Sequence, residues 1–124
     1  MFNTTQKQIL RGVNVAKVDV LAKRFSVSIE EMANILGVSP RVLQKKSAGK
    51  THILDKNLSE RCINLDNLFN LAVNYFGSEN SASLWFRNEN IGLGSVTPFS
   101  LCETFFGMQC VENTIIKLTY GMTA

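Results

Sequence analysis

"RNENIGLGSVTPFS", residues 87–100, carries Gly92 and Gly94 one residue apart, with Pro98 four residues after the second. Glycines so spaced occur in loops that cradle phosphates between a strand and a helix, and also in plain turns between helices. The first reading makes the chain an α/β nucleotide binder; the second makes it all-helical. A dinucleotide loop needs a third glycine in G-x-G-x-x-G, a strand before it and an acidic residue about 20 positions on. No glycine stands at the third offset here, nothing upstream reads as a strand, and the stretch has no Gly-Lys-Ser/Thr. It therefore reads as an interhelical loop. Asn90 and the glycines relax the backbone, and Thr97-Pro98 restarts a helix as N-cap and first helical residue.

The flanking sequence agrees. Upstream, Leu58, Cys62, Leu65, Phe69, Ala72 and Phe76 step by fours and threes, with Leu68, Leu71 and Tyr75 widening the stripe and Gly77 ending it. That spacing predicts a helix of about five turns, too apolar on one side to be surface decoration. "NSASLWFR", residues 80–87, predicts a short helix that carries Trp85, expected in the core. From Thr97-Pro98 a helix is expected through Phe106. Gly107 is read as separating it from a last helix lined by Met108, Val111, Ile115 and Leu118 and ended by Gly121. No segment alternates with period two over a useful length, so the expected fold class is all-α.

Nearer the start, Val18, Leu21, Ala22 and Phe25 predict a helix over 14–25. "SIEE", residues 28–31, is a capping box, in which the Ser28 hydroxyl accepts from the Glu31 amide while the Glu31 side chain reaches back. Ile29, Met32, Ala33 and Leu36 follow as one apolar face, and Gly37 closes the helix with a left-handed residue. Ser39 then caps a second helix whose first residue is Pro40. Two short helices joined by "GVS" form a helix-turn-helix. Ala33 is small where the helices cross, and Met32, Leu36, Val38 and Leu43 are apolar where the pair rests on the helix before it.

Such a unit lays its second helix in the DNA major groove. Ser39, Arg41, Gln44 and Lys45 fall on or near the outer side of that helix. Arginine pairs with guanine O6/N7 and glutamine with adenine N6/N7, while Ser39, Lys45 and Lys46 suit phosphate. One such site binds weakly, so a homodimer on a palindromic operator is expected.

Charge divides the chain in the same sense. Residues 1–50 hold nine Lys/Arg against three acids, whereas residues 51–124 hold four against seven. A basic front half suggests a polyanionic partner. At 124 residues the chain is one domain or two very small ones sharing a core, with 45% hydrophobic and 19% charged residues, a globular balance. It has no run of about 18–20 apolar residues, as a membrane span needs, and "MFNTTQKQIL" lacks a signal-peptide apolar region. The expected location is intracellular, in the cytoplasm, without a membrane partner. Cys62, Cys102 and Cys110 are odd in number and lack C-x-x-C spacing, which argues against a disulfide framework and a zinc site.

Three stretches carry a resemblance. "SERCINLDNLFNLAVNYFG" (59–77), "LWFRNENIGLGSVTPFSL" (84–101) and "FGMQCVENTIIKLTYG" (106–121) resemble the C-terminal domain of the MbcA/ParS/Xre family of bacterial antitoxins. The matching positions are Ser59, Arg61, Phe76, Gly77, Trp85, Asn90, Leu93, Gly94, Pro98, Gly107, Val111, Tyr120 and Gly121. Phe86, Glu89 and Ser95 depart from the family's leucine, proline and second glycine. An Xre-like helix-turn-helix commonly precedes this domain, and residues 14–47 resemble one.

The resemblance implies an N-terminal helix-turn-helix region, 1–52, packed on a helical toxin-binding or dimerisation domain, 53–124. It implies an antitoxin that covers the active-site mouth of a RES-domain, NAD-consuming toxin, with Tyr120, Gly121, Met122, Thr123 and Ala124 at that mouth. It also implies repression of its own operon. Arg61 is expected either to pair with an acid, across the core or on a partner, or to lie on a solvated helix face.

Catalysis is not expected. His52 is the sole histidine and lies in a polar connection, with no nucleophile–base pairing and no metal spacing around it. No cofactor is implied. A different class of function stays open at this stage: a stand-alone Xre-like regulator whose C-terminal domain only dimerises or senses.

Overall fold

The computed structural model describes residues 4–47 and 52–121, with the side chains of residues 4 and 45–47 outside that description. Its elements are α1 (Thr4–Arg11), α2 (Ala16–Phe25), α3 (Ile29–Leu36), α4 (Pro40–Ser47), α5 (Lys56–Phe76), α6 (Glu79–Arg87), a 3-10 turn (Ile91–Leu93), α7 (Pro98–Leu101) and α8 (Phe105–Thr119). Among the described residues there is no strand, only two isolated bridges, Asn14–Ile53 and Asn90–Val96. The fold is all-α, a helix-turn-helix followed by a second helical half.

Side-chain caps set where most helices start. Ser28 and Glu31 form the expected capping box, at 3.1 and 3.2 Å. Asp55 accepts from the Leu58 amide at the start of α5, Ser78 from Ser81 in α6, and Thr97 from Ser100 in α7. Each satisfies an amide that the helix itself leaves unpaired. Gly37 takes φ +76° after α3, a conformation that residues with a Cβ adopt only at a cost. This lets α4 turn away across α3.

α5 is the axis of the molecule. Cys62, Leu65, Leu68, Phe69 and Ala72 are buried on it, and α1, α2, α3, α6 and α8 all pack against it. At its centre Phe25 of α2 meets Phe69, Phe86 and Phe99, with ring centroids 4.7, 4.8 and 5.4 Å away. The first two pairs are edge-to-face, the arrangement that the ring quadrupoles favour. One aromatic cluster therefore joins the helix-turn-helix to the second half.

The structure corrects three boundaries. Gly107 does not separate two helices: α7 stops at Leu101, Thr104 caps α8 by accepting from the Gly107 amide at 3.0 Å, and Gly107 lies inside α8. It is glycine because a Cβ there would collide with the Leu101 carbonyl oxygen, so the helix can pass the turn only without a side chain. α2 begins at Ala16, since Asn14 is held in the bridge to Ile53. α1, for which the polar "TTQKQILR" gives little periodic signal, packs on α5. Trp85 is half-buried at the edge of the core, against Phe76 and Phe86.

Candidate functional site

The opening loop is built as a turn. Asn90 exchanges backbone bonds with Val96 and Ser95 at 3.0 and 2.9 Å, and Gly94 accepts φ +88° at the end of the 3-10 turn. Ser95, where the family has glycine, also takes a left-handed φ of +61°. A helix, α6, precedes the loop, as a phosphate-binding strand–loop–helix would not allow.

The first candidate face belongs to α4. Only Leu43 of its described side chains is buried, whereas Arg41, Val42 and Gln44 are exposed. The Ser39 hydroxyl accepts from the Val42 amide at 3.2 Å, so it serves as the cap expected of it. Arg41 makes no ion pair with any described residue. Gln44 borders an opening of about 420 Å³ shared with Val15, Val18, Asp19, Ile29 and Pro40, between α4 and α2. Ser39, Arg41 and Gln44 thus share one exposed element, and Lys45 and Lys46 continue it in sequence, their side chains outside the described residues.

The basic front half is not all turned outward. Lys17 Nζ lies 3.1 Å from Asp66 Oδ2 and Arg24 Nη1 2.8 Å from Asp66 Oδ1. Arg24 also reaches Glu79 at 3.2 Å and Asn70 at 2.7 Å, with its guanidinium 4.5 Å above the Phe69 ring. Lys23 pairs with Asp19 one turn away. The division of charge along the chain thus marks an attraction between its halves. No local motif announces these pairs; Arg24 and Asp66 are 42 residues apart.

The second face is the outer side of α8. Val111, Ile115 and Met108 are buried, which leaves Tyr120 at the other end of the helix 77% exposed and Gly121 exposed beside it at φ +72°. The expected contacts Met122, Thr123 and Ala124 lie outside the described residues. Sequence reasoning missed Phe105 and Phe106, 62% and 75% exposed at the start of α8. Two adjacent phenylalanines cannot both face one core from a helix, which was the available signal.

Arg61, half-buried, pairs with no acid among the described residues. Its Nη1 donates to two main-chain carbonyls, Glu103 at 3.0 Å and Ile35 at 3.4 Å. Ser59 is buried, accepting from the Val13 amide and donating to the Leu54 carbonyl at 3.0 and 3.1 Å. Burial pushes the Cys62 and Cys102 thiols up to about 12, which makes both poor nucleophiles. Among the described residues no cluster of His, Cys, Asp and Glu is arranged to hold a metal ion, and no helix is long and apolar enough to cross a membrane.

Comparison with known proteins fits this geometry. Residues 6–65 match the antitoxin Xre-like helix-turn-helix domain, and residues 71–121 match the antitoxin Xre/MbcA/ParS C-terminal toxin-binding domain. Over 114 residues, 91% of this chain and 76% of the relative, the sequence is 26% identical to a protein named antitoxin Xre from Photorhabdus laumondii. A helix-turn-helix joined to a toxin-binding domain defines an antitoxin, not an enzyme. The chain belongs to the Xre/MbcA/ParS antitoxin family. Its second half implies a toxin as partner, and its first half implies DNA.

Proposed function

We propose that this antitoxin neutralises a RES-domain, NAD-consuming toxin by covering its active-site mouth, and that it represses its own operon as a homodimer on operator DNA. Residues 1–52 form the DNA-binding region and 53–124 the toxin-binding one, working in the bacterial cytoplasm. The observation that carries the toxin reading is the end of α8: Tyr120 stands almost free of its own fold, within a domain that matches toxin-binding ones. An exposed aromatic side chain of this kind supplies much of the binding energy at a protein interface. Tyr120 and Gly121 make the first contacts at the mouth, and Met122, Thr123 and Ala124 extend them. On the other face, Arg41 and Gln44 read bases while Ser39, Lys45 and Lys46 hold phosphates.

Truncation tests the toxin reading. Removing residues 120–124 is expected to weaken inhibition of the toxin's NAD consumption while leaving the helical circular-dichroism signal unchanged. Full inhibition by the shortened chain would refute that role for the tail. On the DNA side, a gel shift with the protein's own upstream sequence is expected at low salt, and Arg41→Ala with Lys45→Ala is expected to remove it. No shift by the unaltered protein would exclude autorepression.

A further inference from the structure

α2 and α4 both pack on α3 and leave between them an opening of about 420 Å³. Val15, Val18 and Leu43, all buried, and the half-buried Ile29 give it an aliphatic floor. Two exposed polar side chains stand at its rim, Asp19 from α2 and Gln44 from α4. Among the described residues that line it, Asp19 alone carries a charge.

These features restrict what can occupy it. A water molecule settles in a cavity when it finds two to four polar partners, and the side chains of this floor offer none. Hydrocarbon therefore displaces water from it at a gain. The volume falls within the range of about 300–1,000 Å³ usual for small-molecule sites, which combine apolar walls with a few oriented polar groups. At the rim, Asp19 pairs with Lys23 at 3.3 Å, and both side chains are largely in solvent. An exposed pair of this kind contributes little, so a cation anchored from below can take the place of Lys23. The Gln44 amide oxygen on the opposite wall is a second acceptor. An anion would be repelled by Asp19, and a sugar would set its hydroxyls against hydrocarbon without partners. An ammonium group on a hydrocarbon body satisfies both the rim and the floor.

We infer that the opening between α2 and α4 binds a small organic amine with a hydrocarbon body, and that this ligand withdraws Gln44 from DNA. Gln44 is also one of the two side chains proposed to read bases. An amide turned toward α2 to hold an ammonium cannot at the same time make its paired hydrogen bonds to a base edge. Amine-loaded antitoxin then binds its operator less tightly than the free protein, and by reciprocity operator weakens amine binding by the same factor. The amine thus acts on the first half of the chain alone. Its effect on DNA rests on the proposed reading that α4 binds operator, whereas the amine site rests on the opening itself.

The test uses the full chain and 2-phenylethylamine as probe. Ethylamine, which has the cation without the body, and 3-phenylpropanoate, which has the body with an anion, are the controls. In amide NMR titrations, 2-phenylethylamine is expected to give saturable shifts at residues 15–19 and 41–44, and the controls none. Asp19→Asn is expected to weaken the amine by about tenfold, as loss of a charged hydrogen-bond partner does. Ala16→Phe, which fills the opening from an exposed position on its border, is expected to abolish binding with the helical circular-dichroism signal unchanged. The absence of saturable shifts overturns the inference, as does equal binding of all three probes or undiminished binding by Asp19→Asn. In gel shifts with the chain's own upstream duplex, saturating 2-phenylethylamine is expected to lower DNA affinity by about tenfold, within the usual range for coupled sites. The same concentration should leave the affinity of Asp19→Asn unchanged, which separates occupancy of the site from general competition by a cation. If the amine saturates its site and DNA affinity does not change, the withdrawal of Gln44 is refuted. If the unaltered chain binds the amine but no DNA, the proposed autorepression falls and the amine site stands.

Discussion

Within the helix-turn-helix, α2 and the α3–α4 pair are held to the rest of the molecule by different means. α2 inserts Phe25 among Phe69, Phe86 and Phe99, donates Arg24 to Asp66, Asn70 and Glu79, and receives a bond from Ser83 Oγ on the Phe25 carbonyl at 3.1 Å. α3 has its apolar face and the shared bond from Arg61, and α4 buries Leu43 alone among its described side chains. Mechanically, α2 is tied into the second half, whereas the α3–α4 pair is mounted on it. An element that must enter a groove has to keep its polar groups free of its own protein, so a lightly tied reader on a heavily tied base suits an antitoxin with two partners.

The contrast predicts very unequal responses to substitution. Phe25→Ala is expected to have the largest effect, about 4 kcal/mol, because it empties the cluster that joins the halves. Urea denaturation monitored by circular dichroism measures it, and a loss below about 1 kcal/mol would mean that the cluster is not the joint. Gly107→Ala comes next, at about 3 kcal/mol, since the added methyl must displace the Leu101 carbonyl. A melting midpoint like that of the unaltered protein would show that α7 and α8 do not approach so closely.

Alkali acts on the base more gently. The buried thiols of Cys62 and Cys102 stay protonated in the folded state up to about 12, against an ordinary value of 9.0. The unfolded chain therefore releases these protons first as pH rises above 9, and stability falls across that window by up to about 1.4 kcal/mol per pH unit per thiol. Replacing both cysteines by alanine is expected to flatten this alkaline slope. At pH 8, alkylation is expected to label Cys110, which is only partly buried, before Cys62 and Cys102. Arg41→Ala, on the reader, is expected to have the smallest effect on folding, within about 0.5 kcal/mol. It should nonetheless lower DNA affinity by about tenfold, as loss of one base-reading arginine does.

Much of the fold was legible in the sequence, because local chemistry fixes it. Ser28 with Glu31, Gly37, Gly77 and Thr97-Pro98 mark helix ends through bonds to their own neighbours, and the 3.6-residue spacing of α5 reports the core directly. Gly107 misled because a glycine that ends a helix and one that lets a helix pass a carbonyl look alike until the neighbour is known. The Arg24–Asp66 and Arg61–Glu103 bonds each span 42 residues and follow no periodic rule. That Ser39, Arg41 and Gln44 share one exposed helix was legible in the sequence, yet the diversion of Lys17 and Arg24 to internal carboxylates appears only in three dimensions.

The central claim is that this all-helical chain acts by occupying a toxin with its second half. Titrating the purified neighbouring-frame protein with the antitoxin while following NAD consumption tests it most directly. Consumption should fall to background once the antitoxin saturates the toxin. NAD loss that continues unchanged at saturating antitoxin would contradict the account.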